Sequence, residues 1–181
     1  MDFLSVLFIA IGLAMDAMAV SLGIGTTQYA NSRRPIFRLS FHFGLFQFLF
    51  PVLGWLGGVP ISQYLGGIDH WVAFGLLSFV GARMVRSGFD TESETHKSDP
   101  SRGRMLVLLS TAVSIDAFAV GLSLAMLKVN VFYPAAIIGV VTSALSLLGL
   151  RIGGRLGQTF GKRMEIIGGL ILIAIGLRAL L

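Results

Sequence analysis

Gly12-Leu13-Ala14-Met15-Asp16-Ala17-Met18-Ala19-Val20-Ser21-Leu22 returns one hundred residues later as Ala112-Val113-Ser114-Ile115-Asp116-Ala117-Phe118-Ala119-Val120-Gly121-Leu122. Both copies contain Asp-Ala-x-Ala-Val-x-Leu, and each lies within a long apolar stretch. A carboxylate in the middle of a membrane helix costs about 2.5 to 3.5 kcal/mol on insertion scales, so it usually faces a cavity or partner and marks an ion or proton path. The surrounding composition supports that setting. Of 181 residues, 55% are hydrophobic and 13% charged, with a mean hydropathy of +0.83, whereas soluble domains carry roughly 25% charged residues.

Six apolar stretches run over about 4–26, 37–59, 71–85, 105–127, 132–152 and 166–181. A helix needs about 20 such residues to cross a ~30 Å hydrocarbon core. The expected fold is therefore an all-α membrane protein of six transmembrane helices, with no room for a separate soluble catalytic domain. The first stretch reads as a retained helix, because Asp2 replaces the basic start of a signal peptide and Asp16 interrupts its apolar core. Only 87–104, with Asp90, Glu92, Glu94, Lys97, Asp99 and Pro100, looks soluble. It divides the chain into a three-helix unit over 1–87, a cytoplasmic linker loop over 88–104 and a second unit over 105–181.

The two units match beyond the aspartates. At an offset of 95, Gly44, Gly54 and Gly58 fall on Gly139, Gly149 and Gly153, and Gly66, Gly81 and Arg83 fall on Gly161, Gly176 and Arg178. A three-helix unit crosses the membrane an odd number of times, so its second copy enters from the opposite side: the repeats are inverted. Secondary transporters use such repeats to alternate access to a site near the bilayer midplane. Basic residues agree with the inversion, since twelve of the fourteen lie in or beside alternate loops and only Lys128 and Arg178 fall on the other side. Because cytoplasmic loops collect Lys and Arg, both termini are expected outside. The +5 net charge then reports loop orientation rather than a nucleic-acid partner.

Around each aspartate the helical face is small: Gly12, Asp16, Ala19, Gly23 in one copy and Ala112, Asp116, Ala119, Ser123 in the other. Such stripes let backbones approach. Two carboxylates brought together in low dielectric either share a proton or hold a cation between them. Oxygen ligands favour Mg2+, Ca2+ or Mn2+, and zinc or copper sites would usually offer His or Cys. There is no Cys, and His42, His70 and His96 are scattered. Further candidate oxygens are Gln47 in the second helix and Thr142, Ser143 and Ser146 in the fifth, with Met15 as a soft thioether whose default role is packing. His70 and Glu165 correspond at the entrance of each unit's third helix, where a gate or a plain interfacial role both fit. Arg83 and Arg178 read as helix-end anchors.

The two aspartate motifs, together with Phe43-Gly44-Leu45-Phe46-Gln47, Pro51-Val52-Leu53-Gly54-Trp55, His70-Trp71-Val72-Ala73-Phe74, Gly81-Ala82-Arg83-Met84 and Gly161-Lys162-Arg163-Met164-Glu165-Ile166-Ile167-Gly168-Gly169, resemble the bacterial manganese efflux pump family MntP. That family looks like part of a wider LysE-like exporter superfamily that includes amino-acid and cation exporters. The resemblance covers nearly the whole chain apart from the central loop. It implies a six-helix inner-membrane protein that exports Mn2+ as its substrate, and it carries Asp16 and Asp116 over as the family's intramembrane acids. Gln47 stands where some members have Glu.

The expected function is thus a secondary transporter, with Asp16, Asp116, Gln47, Thr142 and Ser143 as metal ligands, Mn2+ as cargo, no cofactor and the lipid bilayer as its surroundings. Protons are the natural counter-ion, and the oligomeric state stays open. No Walker-type Gly-x-x-x-x-Gly-Lys-Ser/Thr segment is present to couple ATP. An exporter of Ca2+ or of a small organic solute such as an amino acid is the nearest alternative. An intramembrane enzyme using the aspartates as acid and base is disfavoured by their depth and the short loops. A haem-carrying subunit lacks paired axial histidines.

Overall fold

In lipid a backbone can satisfy its N–H and C=O groups only within itself, and the apolar stretches accordingly become helices. The computed structural model describes residues 3–62, 71, 74–79, 82, 85, 86 and 99–178; the side chains of 28, 31, 61, 62 and most positions beyond 153 lie outside that description. Helix α1 spans Phe3–Gly25, a 3-10 turn covers Gln28–Asn31, and α2 spans Arg33–Ser62. After a helical piece at 74–79 come α3 (Gly103–Ala112), α4 (Ile115–Met126) and α5 (Phe132–Arg178). No strand occurs among the described residues. Phe3–Gly25, Arg33–Pro60 and Phe132–Gly153 are each long and apolar enough to cross a membrane, and α3 with α4 makes a fourth if the bent pair is one span. Much of the expected third helix at 71–85, and 88–98 of the linker, lie outside the described residues.

Two boundaries differ from the sequence reading. The fourth apolar stretch, expected as one helix over 105–127, is broken at Val113–Ser114 and bent by 43°. Val113 and Ile115 are β-branched and Ser114 prefers a cap to a helix interior, so three weak helix formers stand in consecutive positions. The loop expected between 152 and 166 is instead helical, because α5 runs unbroken to Arg178. Gly153, Gly154, Gly157 and Gly161 weaken this segment by roughly 0.5–1 kcal/mol each, but no proline interrupts it. At 1.5 Å per residue α5 is about 70 Å long, so a ~30 Å core can contain only part of it.

Glycines set how the helices meet. On α5, a Cβ at Gly149 would lie 2.9 Å from Ser21 Cβ and 3.0 Å from the Met18 carbonyl oxygen, and one at Gly153 would meet the Leu22 carbonyl and Gly25 Cα. On α2, a Cβ at Gly54 would meet the Phe118 carbonyl and lie 3.1 Å from the Leu122 nitrogen, and one at Gly58 would lie 2.6 Å from Ala125 Cβ. Residue numbers rise together in both sets, so α1 runs parallel to α5 and α4 parallel to α2. At a third crossing Gly44 and Gly139 each face the other's carbonyl, with Ser143 against Gly44 and Phe48 against Gly139. There the numbers run in opposite senses and α2 is antiparallel to α5.

The interior is apolar: Ile9, Ala10, Leu13, Ala117, Val120, Leu124, Ala135 and Ile138 form one cluster, and Ala17, Ile24, Leu39, Phe43, Leu109, Val113 and Leu150 another. Phe37, Phe79, Leu108 and Val140 are largely exposed, as lipid-facing residues of a membrane bundle are. Polar devices close the ends. The Thr26 and Thr27 hydroxyls donate to the carbonyls of Gly23 and Ile24. Beyond α4, Lys128 adopts a left-handed φ of 56° while the Val129 N–H reaches back to the Leu124 carbonyl at 3.0 Å, a Schellman closure. Before α3, Asp99 accepts from the Ser101 backbone N–H and hydroxyl at 2.9 and 2.8 Å. Those bonds, the backbone one foremost, lie outside the apolar segments and hold its carboxyl below the usual range against an opposing desolvation, with Arg102 and Arg38 adding attraction.

Candidate cation site

Asp116 sits in the first turn of α4, created by the break in the chain. Its side chain is 4% exposed, and Oδ1 accepts the backbone N–H of Ala117 at 2.9 Å. A helix N-terminus carries partial positive charge, which stabilises a nearby carboxylate. Asp16, the matching residue, lies inside uninterrupted α1 and is half-buried.

Gln47 of α2 is wholly buried. Its Nε2 donates to the Val113 carbonyl at 2.7 Å, across 66 residues of sequence, and its Oε1 has no hydrogen-bond partner among the described residues. The hydroxyls of Ser21, Ser114, Thr142 and Ser146 share that condition, and all four residues are wholly buried. Hydroxyls in apolar helices ordinarily bond back to a carbonyl one turn earlier. Ser110 and Ser123 do so, onto Leu106 and Ala119 at 2.8 and 2.9 Å. An unsatisfied buried hydroxyl or amide oxygen costs about 1–3 kcal/mol, and five of them lie in or beside helices that pack on one another.

All these donors are oxygen. No group of three or more His, Cys, Asp or Glu forms a metal cluster among the described residues. Carboxylate, amide and hydroxyl oxygens are the ligand types that suit hard divalent ions.

Among the sequence candidates, Gln47 is joined directly to the segment bearing Asp116, since Val113 is three residues before it. Thr142 and Ser146 occupy the stretch of α5 between its crossing with α2 at Gly139 and its crossing with α1 at Gly149. Ser143 is half-buried and packs on Gly44. Met15 packs against the apolar cluster. His70 and the side chains of Glu165, Arg83 and Arg178 lie outside the described residues. A cavity of about 370 Å3 lined by Val6, Lys128, Val129, Asn130, Tyr133 and Pro134 contains neither aspartate. Sequence reasoning missed Ser21, Ser114 and the Val113 carbonyl; Ser114-x-Asp116 is itself a helix-start signal.

Comparison with known proteins agrees over the whole chain. A family model described as "Putative manganese efflux pump" matches residues 30–180. A protein of Syntrophotalea carbinolica is 48% identical over 181 residues, covering 99% of this chain and 96% of its own length. One from Geobacter sp. strain M21 is 52% identical, covering 100% and 97%, and one from Methanobrevibacter smithii is 42% identical, covering 99% and 97%. All three bear the name "Putative manganese efflux pump MntP". No solved structure matches the chain.

Proposed function

From the premise that this chain belongs to the MntP manganese efflux pump family, we propose that it exports Mn2+ from the cytoplasm by alternating access. Asp16 and Asp116 supply the charge of a central site, and Gln47 Oε1 with the hydroxyls of Thr142 and Ser143 supplies further oxygen. The observation that carries this reading is the set of buried oxygens without partners among the described residues, on or beside the helices that bear the two aspartates and on α2 and α5, which pack against them. A divalent cation would satisfy them and offset the mutual repulsion of two carboxylates in one step.

The proposal includes six spans arranged as two inverted units, 1–87 and 105–181, joined by a cytoplasmic loop. Both termini lie outside the inner membrane. What supports the inversion is that contacts repeat under the sequence offsets: Gly149 against Met18 and Leu22 is matched by Gly54 against Phe118 and Leu122. The Gly44–Gly139 pair maps onto itself. Gln47 and Thr142, both wholly buried, are also equivalent at the offset of 95. Mn2+ leaves in exchange for protons, which the aspartates take up as the metal departs.

The test measures intracellular Mn in cells that lack their own exporter, under Mn2+ load, with either the native chain or its Asp16→Asn and Asp116→Asn variants. The native chain should lower cell Mn and each variant should abolish the effect while still reaching the membrane. Retained export in both variants removes the site assignment. Competition by Ca2+ or an amino acid in reconstituted vesicles, in preference to Mn2+, would replace the cargo, because oxygen ligands alone also suit Ca2+.

A further inference from the structure

The hydrogen bonds around Val113 form an exchange. In a continuous helix the Val113 carbonyl would accept the N–H of Ala117, four residues on. Here Gln47 Nε2 occupies that carbonyl at 2.7 Å, and the Ala117 N–H turns to Asp116 Oδ1 at 2.9 Å. One helical bond has become two, and the second fixes the orientation of the buried carboxylate. The Ser114 N–H bonds Thr111 and the Phe118 N–H bonds Ser114, so regular pairing resumes one turn later. In α1 the equivalent of Val113 is Leu13, inside unbroken helix. The equivalent of Gln47 is Thr142, whose hydroxyl has no hydrogen-bond partner among the described residues.

We propose that Gln47 is a positioning residue that holds the α3–α4 break open through its amide N–H, and that this latch sets Asp116 for the cargo. The inference rests on the proposed cation site for its consequence in transport, but not for the latch itself. The two ends of one amide then do different work. Nε2 secures the backbone, and Oε1, left without a hydrogen-bond partner among the described residues, turns toward the cation. A cation on Oε1 draws electrons from the amide and makes its N–H a stronger donor, so binding of cargo tightens the latch. A carboxylate at position 47 would keep an oxygen for the metal and lose the donor.

Two substitutions separate these roles in the full chain embedded in lipid nanodiscs. Gln47→Leu removes donor and oxygen, whereas Gln47→Glu removes only the donor. Without Mn2+, both variants should let Val113 pair again with Ala117, and hydrogen exchange of the backbone amides at 114–117 should slow by about tenfold as the helix closes. In vesicles, Gln47→Glu should retain a Mn2+ KM near native and lose about tenfold in maximal rate, whereas Gln47→Leu should also raise KM. Unchanged exchange in both variants overturns the latch. Slowed exchange with native transport by Gln47→Glu overturns the positioning role. Slowed exchange together with full export by the Asp16→Asn and Asp116→Asn variants would remove the cation site while supporting the latch.

Discussion

The same eleven-residue motif occupies α1 and the α3–α4 pair, and the backbone treats the two copies differently. Around Asp16 the helix is continuous; around Asp116 it stops, bends by 43° and starts again. Three positions separate them locally: Leu13-Ala14-Met15 against Val113-Ser114-Ile115. The first trio are strong helix formers and the second are two β-branched residues around a capping residue, a summed difference of about 1 kcal/mol. That is comparable with one net hydrogen bond, about 0.5–1.5 kcal/mol. Neither local preference nor Gln47 alone is large enough to dominate, and the break needs both. Duplicated carboxylates can thus be given different surroundings without moving either along its helix.

Glycine crossings offer the harshest way to break the comparison. The α2–α4 crossing at Gly54 faces backbone, the Phe118 carbonyl, whereas the nearest atom at Gly149 in the α1–α5 crossing is a side-chain carbon of Ser21. Gly54→Ala should therefore destabilise by about 1–3 kcal/mol and Gly149→Ala by less, measured as unfolding of the chain in mild detergent. Equal losses would mean that the two crossings are interchangeable. Gly57, with nothing within 4 Å of an added Cβ, is the control: Gly57→Ala should be neutral or slightly stabilising.

Exchanging the trios gives an intermediate effect. Val113→Leu, Ser114→Ala and Ile115→Met together should favour the closed helix by about 1 kcal/mol, seen as roughly fivefold slower amide exchange at 114–117. The reverse exchange, Leu13→Val, Ala14→Ser and Met15→Ile, should leave α1 unbroken, because Thr142 is too short to replace the glutamine. A break appearing in α1 would show that local propensity suffices.

The smallest effect concerns the entry to α3. Asp99 has its carboxyl held below its usual value by the Ser101 bonds, so its contribution to stability is present above that usual value and disappears as pH falls through the lowered one. Asp99→Asn should flatten the acid side of a melting-temperature profile by a degree or so and leave neutral pH almost unchanged, since exposed pairs such as Asp99–Arg102 are worth little.

Most of this molecule's membrane character could be read in advance, because a run of about 20 apolar residues leaves few alternatives to a helix. The spans at 3–25 and 33–60 follow from composition alone. Asp116, Gln47 and Thr142 were identifiable because polar residues inside such runs are expensive and rare, and all three are buried. The break at Val113 was hidden by hydropathy, to which valine, serine and isoleucine in an apolar run look continuous. Its clearest cause, Gln47, lies 66 residues away, beyond any local pattern. The loop expected at 153–165 failed for the opposite reason: charge and glycine suggested an interruption, but they weaken a helix without ending it.

At the Gly44–Gly139 crossing, each glycine lies against the other's carbonyl. Mechanically this is a fulcrum. Two rods touching backbone to backbone at one point, with only Ser143 and Phe48 packed beside it, can rock like scissor blades. Any rocking that spreads them above the contact draws them together below it, so a bundle pivoting there would widen toward one side of the bilayer only by narrowing toward the other.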